Sequence, residues 1–277
     1  MRLSALAGSL IAMLVAEPAF ASCGFNAERL AFAGTDEQQA KCLLKPVLKW
    51  GRLGPARAQL PPNLSRLIGS PSNVDRGKLE ALLEDAKIGP GFLSRPVSRA
   101  RGGVSTAPLA RYFVIHDTSS PWLGNQQFPA DLDIDSRINN LGRYVGLNAV
   151  AHLFIDRRGR IVIGHDLSVP WRATKLEATA GIPSKGLFLH VENIQPRRRD
   201  PAGGPQNDAI APFPGLSDAQ YRSLALMYVA ASARASKWLI PAFHAAIDEG
   251  ISDSHDDPQN FDLDKFDSAL GQLITRL

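Results

Sequence analysis

The run Tyr112-Phe113-Val114-Ile115, ending on His116, constrains the fold more than any other segment of the chain. Four large apolar residues in succession, two aromatic and two β-branched, read as a buried strand. His116 then sits at the strand mouth, where the backbone is fixed and the side chain is expected to be accessible. A second stretch, Ile240 to Phe261, places His244 and Asp257 close together and also holds His255 and Asp256. Two imidazoles and a carboxylate with a vacant fourth position describe a catalytic zinc site. The same donor set also suits iron. His255 and Asp256 are the alternatives to Asp257 as third ligand.

Around these residues the pattern mixes strands and helices. Ala149 to Ile155 and Arg160 to Gly164, joined by Asp156-Arg157-Arg158-Gly159, form an expected hairpin, and Leu187 to Ile194 is a further strand. Asp133 to Val145 is expected to be helical. A longer helix follows Ser217, because Ser217 and Gln220 form a capping box and Leu224, Tyr228 and Ala231 continue one apolar face. Upstream, Leu79, Leu82, Leu83 and Ala86 recur at helical spacing until Gly89-Pro90-Gly91 ends the run. The expected class is therefore α/β, a central mixed sheet flanked by helices, with an N-terminal extension that is mostly helical or irregular.

The N-terminus reads as an export signal over residues 1–21: Arg2 is basic, Leu3 to Ala16 is mostly apolar, and Ala19-Phe20-Ala21 has the small-x-small pattern of a cleavage site. Residues 22–107 form the extension and a linker rich in Arg, Ser, Gly and Pro, and residues 108–277 the main domain. Export implies a periplasmic or wall-associated location without an integral membrane span, since the apolar stretch is short and Glu17-Pro18 interrupts it. In an oxidising compartment the two cysteines, Cys23 and Cys42, are expected to pair. A lipid on Cys23 is the alternative. Net charge is +4, but from His244 to Leu277 eight acidic residues face two basic ones. The acidic end suits a cation, and the basic remainder suits an anionic polymer. Nucleic acid is disfavoured, because the basic residues are not interleaved with exposed aromatics.

The order of motifs, a strand ending in His116, the hairpin AHLFIDRRGRIV, the strand LHVENIQP, a capped helix, then a histidine followed by Asp257-Pro258, resembles the zinc-dependent N-acetylmuramoyl-L-alanine amidases of the type-2 family, related to bacteriophage T7 lysozyme and peptidoglycan recognition proteins. The resemblance covers roughly Pro108 to Phe266. It implies a zinc hydrolase acting on peptidoglycan or muropeptides, with His116, His244 and Asp257 as metal ligands and Glu192 as the acid/base. Where the family commonly has a lysine two residues before the aspartate, this chain has His255. Thirteen residues separate His244 from Asp257, more than is usual, which implies an insertion around Gly250 to Ser254.

Amide hydrolysis at neutral pH needs an activated water, a group to move protons and a donor for the oxyanion. Glu192 and His255 are the expected catalytic pair. Trp171, Arg172 and His152 are the expected substrate contacts, the first two standing in the family's Ala-Trp-His segment. Blander readings stand beside these: a core position for His152 or Trp171, a turn for His165, and a solvated surface for Arg197-Arg198-Arg199. Two other functions fit the same sequence, a catalytically silent peptidoglycan-binding module and a zinc peptidase acting within the stem peptide.

Overall fold

The computed structural model describes residues 23–277 apart from 96, 98–109, 147–148, 182–185 and 206. The expected signal segment and most of the linker lie outside the described residues. The architecture is α/β, with a five-stranded mixed sheet flanked by helices. Its strands are β3 (Tyr112–Asp117), β4 (Leu153–Ile155), β5 (Ile161–Ile163), β6 (Phe188–Asn193) and β9 (Ile240–Phe243), in the order β5-β4-β6-β3-β9. Four run parallel, and β5 returns antiparallel from β4. The expected hairpin forms because Asp156 closes it: its Oδ1 accepts the Arg158 and Arg160 amides at 3.1 and 2.8 Å, and Gly159 takes the positive φ of +80° that the turn requires. Ile240–Phe243, read in sequence only as part of the ligand stretch, is the edge strand beside β3.

Side-chain alternation along β3 gives the sheet two different faces. Phe113 points toward α5 (Asp218–Ala235), where its ring meets Tyr228 at 5.3 Å. The Ser217 capping box is present as expected, and α5 packs in turn on α7 (Leu263–Ile274). Tyr112 points the other way, toward the N-terminal extension, and its hydroxyl donates to Gln39 at 2.6 Å and accepts from the Phe32 amide at 3.0 Å.

That extension comprises the short strands β1 (Phe25–Asn26) and β2 (Ala31–Phe32) and the helices α1 (Asp36–Leu43), α2 (Pro62–Leu67) and α3 (Arg76–Asp85). Its Leu43, Leu44, Leu64 and Leu79 share one hydrophobic core with the sheet, all fully buried. Each such side chain contributes roughly 1.5–3 kcal/mol relative to exposure. Cys23 and Cys42 are joined as a disulfide. Among the described residues no helix is long and apolar enough to cross a membrane.

The helix expected over Asp133 to Val145 does not form. The segment is a series of turns ending in a short 3-10 helix at Leu141–Tyr144. Its polar side chains bond the local backbone instead: Asp135 accepts the Arg137 amide at 2.8 Å, Asn140 that of Gly142 at 3.2 Å, and Asn139 donates to Leu132 O and Asp135 O. Such bonds compete with a helical ladder.

Candidate metal centre

Three neighbouring parallel strands deliver the site. His116 pairs in register with Glu192 on β6, and Ile115 pairs with Phe243 on β9. His116, Glu192 and His244 therefore emerge side by side at the carboxyl ends of β3, β6 and β9, where parallel sheets place their ligands. His244 opens the short helix α6 (His244–Ile247). Asp257 arrives from the loop beyond it, and its Oδ2 accepts the Asp117 amide at 3.1 Å, which fixes the carboxylate.

The resulting geometry is close. His116 Nδ1 lies 2.8 Å from His244 Nδ1 and 3.7 Å from Asp257 Oδ2, and His244 Nδ1 lies 3.1 Å from Asp257 Oδ1. Tetrahedral ligands at zinc-like bond lengths stand about 3.3 Å apart. These three buried residues form a group that could hold a metal ion. The electrostatics agree. Burial alone would depress the His244 pKa, but the carboxylates of Asp257 and then Asp248 outweigh it and raise it to about 10. In the metal-free protein a proton therefore sits where a cation is attracted. His116 is driven well below the ordinary histidine range by burial and then by the charge of His244. It is 1% exposed, not accessible as its strand-end position suggested, with His190, His244, Glu192 and Asp257 around its ring.

Glu192 Oε1 stands 3.9 Å from His116 Nδ1, with its side chain 12% exposed. Burial and then the neighbouring charge of Asp257 push its pKa up to about 8. It lines an open cavity of about 350 Å³ together with Thr118, Ser119, Val150, Trp171, Arg172, His244, His255 and Asp257. His255 is half-exposed, stacks on His244 at 3.9 Å between ring centres and is tied through Nδ1 to Asp248 at 3.0 Å. Trp171 packs on the His165 ring at 3.8 Å and donates from Nε1 to Val150 O at 2.8 Å, which makes a rigid wall. Gly250 to Ser254, the expected insertion, is a largely exposed turn, and its Asp253 pairs with Lys175 at 2.9 Å.

Other expected residues fall elsewhere. His152 does not reach the cavity. It is fully buried, with Nδ1 accepting the His190 amide and Nε2 3.0 Å from Val169 O, so both ring nitrogens are occupied inside the protein. Asp256 turns away from the imidazoles and accepts from Asn207 and Gln259, each at 2.8 Å. Arg197 is no solvated surface residue: it is 1% exposed and pairs with buried Asp117 at 2.8 Å, beneath the site. Arg198–Arg199 form the short strand β7, paired with β8 (Ala209–Ile210).

Two carboxylates escaped the sequence reading. Asp248 lies 3.0 Å from His244 Nε2, and Glu177, in α4 (Lys175–Ala180), lies 3.1 Å from His190 Nε2. The signals were present as the His244-to-Asp248 helical spacing and the Thr174-to-Glu177 capping box, but each reads first as local helix chemistry. A larger groove of about 510 Å³ between Phe128, Ile134 and Phe213 holds none of these imidazoles.

Comparison of the chain with protein-family models, with curated proteins and with solved structures found no match. The fold and the site rest on the residues themselves.

Proposed function

We propose that this chain is an exported zinc hydrolase that cleaves the amide between N-acetylmuramic acid and the L-alanine of the peptidoglycan stem peptide. The observation that carries the reading is the convergence of His116 Nδ1, His244 Nδ1 and the Asp257 carboxylate within 3.7 Å of one another, beside a cavity lined by His244, Asp257 and Glu192. The motif order supports the choice of substrate, since it resembles that of type-2 amidases.

In this reading His116, His244 and Asp257 hold the ion. A bound divalent zinc supplies Lewis acidity, which lowers the pKa of water to about 7. Ionised Glu192 takes the proton of the attacking water and returns it to the leaving amine, its raised pKa favouring the protonated form it passes through. As an imidazolium, His255 donates from Nδ1 to Asp248 and offers its Nε2–H to the developing oxyanion. Trp171 and Val150 give the substrate an apolar wall, and Arg172 gives the anionic stem peptide a cation.

The test is to measure zinc content of the purified full chain and to analyse its products on purified muropeptides by mass spectrometry. Release of an intact peptide beginning with L-alanine is the expected result. Binding without cleavage at any zinc level identifies a binding module instead, and fragments cut within the stem identify a peptidase.

A further inference from the structure

The two histidines that face each other in the site are held from behind by the same five residues of chain, 173–177. Behind His116, Nε2 lies 3.0 Å from His190 Nδ1, and His190 Nε2 lies 3.1 Å from Glu177 Oε2. Glu177 is fully buried, and the same oxygen accepts the Ala173 amide, the Thr174 amide and the Thr174 hydroxyl at 3.0, 3.1 and 3.1 Å. Behind His244, Nε2 lies 3.0 Å from Asp248 Oδ2. Asp248 accepts the Lys175 and Leu176 amides at 3.2 and 2.9 Å.

A carboxylate only accepts, so a carboxylate oxygen 3.0–3.1 Å from an imidazole nitrogen draws the ring proton to that nitrogen. Glu177, in ion-pair contact with His190, thus favours the proton on His190 Nε2. His190 Nδ1 is then the acceptor toward His116, whose proton lies on Nε2. Asp248 favours the same tautomer of His244. Both rings thus turn an unprotonated Nδ1 toward the metal position once the site is loaded. We infer that segment 173–177 is the positioning element of the metal centre, with Glu177 acting through His190 on His116 and its backbone acting through Asp248 on His244. This rests on the metal reading proposed above and deepens it. Trp171 and Arg172, which line the cavity, directly precede the segment, so the substrate wall and the ligand geometry share one support.

The experiment titrates the full-length protein with zinc against a chromophoric chelator. Glu177→Gln and Asp248→Asn keep side-chain volume while spoiling the acceptor, and each is expected to weaken zinc binding about 10- to 100-fold. Lys175→Ala, which leaves the backbone amide in place, is expected to bind as the wild type does. A folded Glu177→Gln or Asp248→Asn protein with unchanged zinc affinity overturns the inference alone, whereas a wild-type chain that binds no zinc overturns the functional reading and this inference together. Should the variants fail to fold, histidine ¹⁵N shifts of the metal-free wild type decide: His116 protonated on Nε2 is expected, and protonation on Nδ1 overturns the proposal. A second zinc per chain that disappears with His255→Ala also overturns it, because Asp248 would then be a ligand.

Discussion

His116 Nδ1 and His244 Nδ1 lie 2.8 Å apart although 128 residues separate them in the chain. The closeness follows from the sheet: β9 is added parallel to β3, so the residues that leave their carboxyl ends become neighbours. A centre built this way depends on the sheet register and on each donor atom, which makes its components separable by substitution.

His116→Ala and Asp257→Ala are each expected to remove both bound zinc and turnover. Glu192→Gln is expected to retain zinc while turnover falls by about 10²–10⁴-fold, the usual worth of a well-placed proton-transfer group. Elemental analysis beside muropeptide cleavage checks both. Undiminished turnover in Glu192→Gln would assign the proton transfer to another group.

Zinc affinity of the protein should rise with pH. His244 in the metal-free protein has its pKa raised to about 10, so below that pH a proton must leave its ring before Nδ1 can bind an ion. His116, with its pKa depressed, adds no such competition. Zinc binding is therefore expected to tighten about tenfold per pH unit between about pH 6 and pH 8, in step with one proton released. Calorimetry in buffers of different ionisation enthalpy reads the release directly, and affinity independent of pH over that range would contradict the protonated state of His244.

Tyr112→Phe tests how the N-terminal extension is held. The hydroxyl is buried between Gln39 and the Phe32 amide, and its removal takes the donor from Gln39 Oε1 and the acceptor from the Phe32 amide. The expected cost is about 1–3 kcal/mol in chemical denaturation, with zinc affinity unchanged. A neutral effect would show that the extension does not need this bond.

The Cys23–Cys42 disulfide closes a loop with a sequence separation of 19. Constraint of the unfolded chain over that length stabilises by about 3 kcal/mol. The Cys23→Ala/Cys42→Ala double variant should therefore melt roughly 6–12 °C lower while retaining the metal site. A shift in melting with full loss of zinc would tie the bridge to the site instead.

Much of this arrangement was legible in the sequence, for identifiable reasons. The buried strands ending near His116 and Glu192 are dense apolar runs, and the Ser217 box marks its helix start without tertiary help. The Asp133 to Val145 segment misled because spacing alone does not reveal that Asp135, Asn139 and Asn140 spend their side chains on nearby backbone. Arg197 read as surface because its partner, Asp117, lies 80 residues away in sequence and only the fold brings them together. The supporting carboxylates were hidden for a related reason. Glu177 and Asp248 have ordinary local roles, and their second role exists only once β3, β6 and α4 meet.

The ring assembly of Phe25, Phe32, Tyr112 and Phe188 spans the boundary between the extension and the sheet. Trimming the protein back to residue 108 would strip those aromatics of their cover and present a sticky, water-facing plate just below the imidazoles. The sheet domain thus has to travel with the extension that begins at Cys23, and an attempt to graft the sheet domain alone onto another protein should yield aggregate.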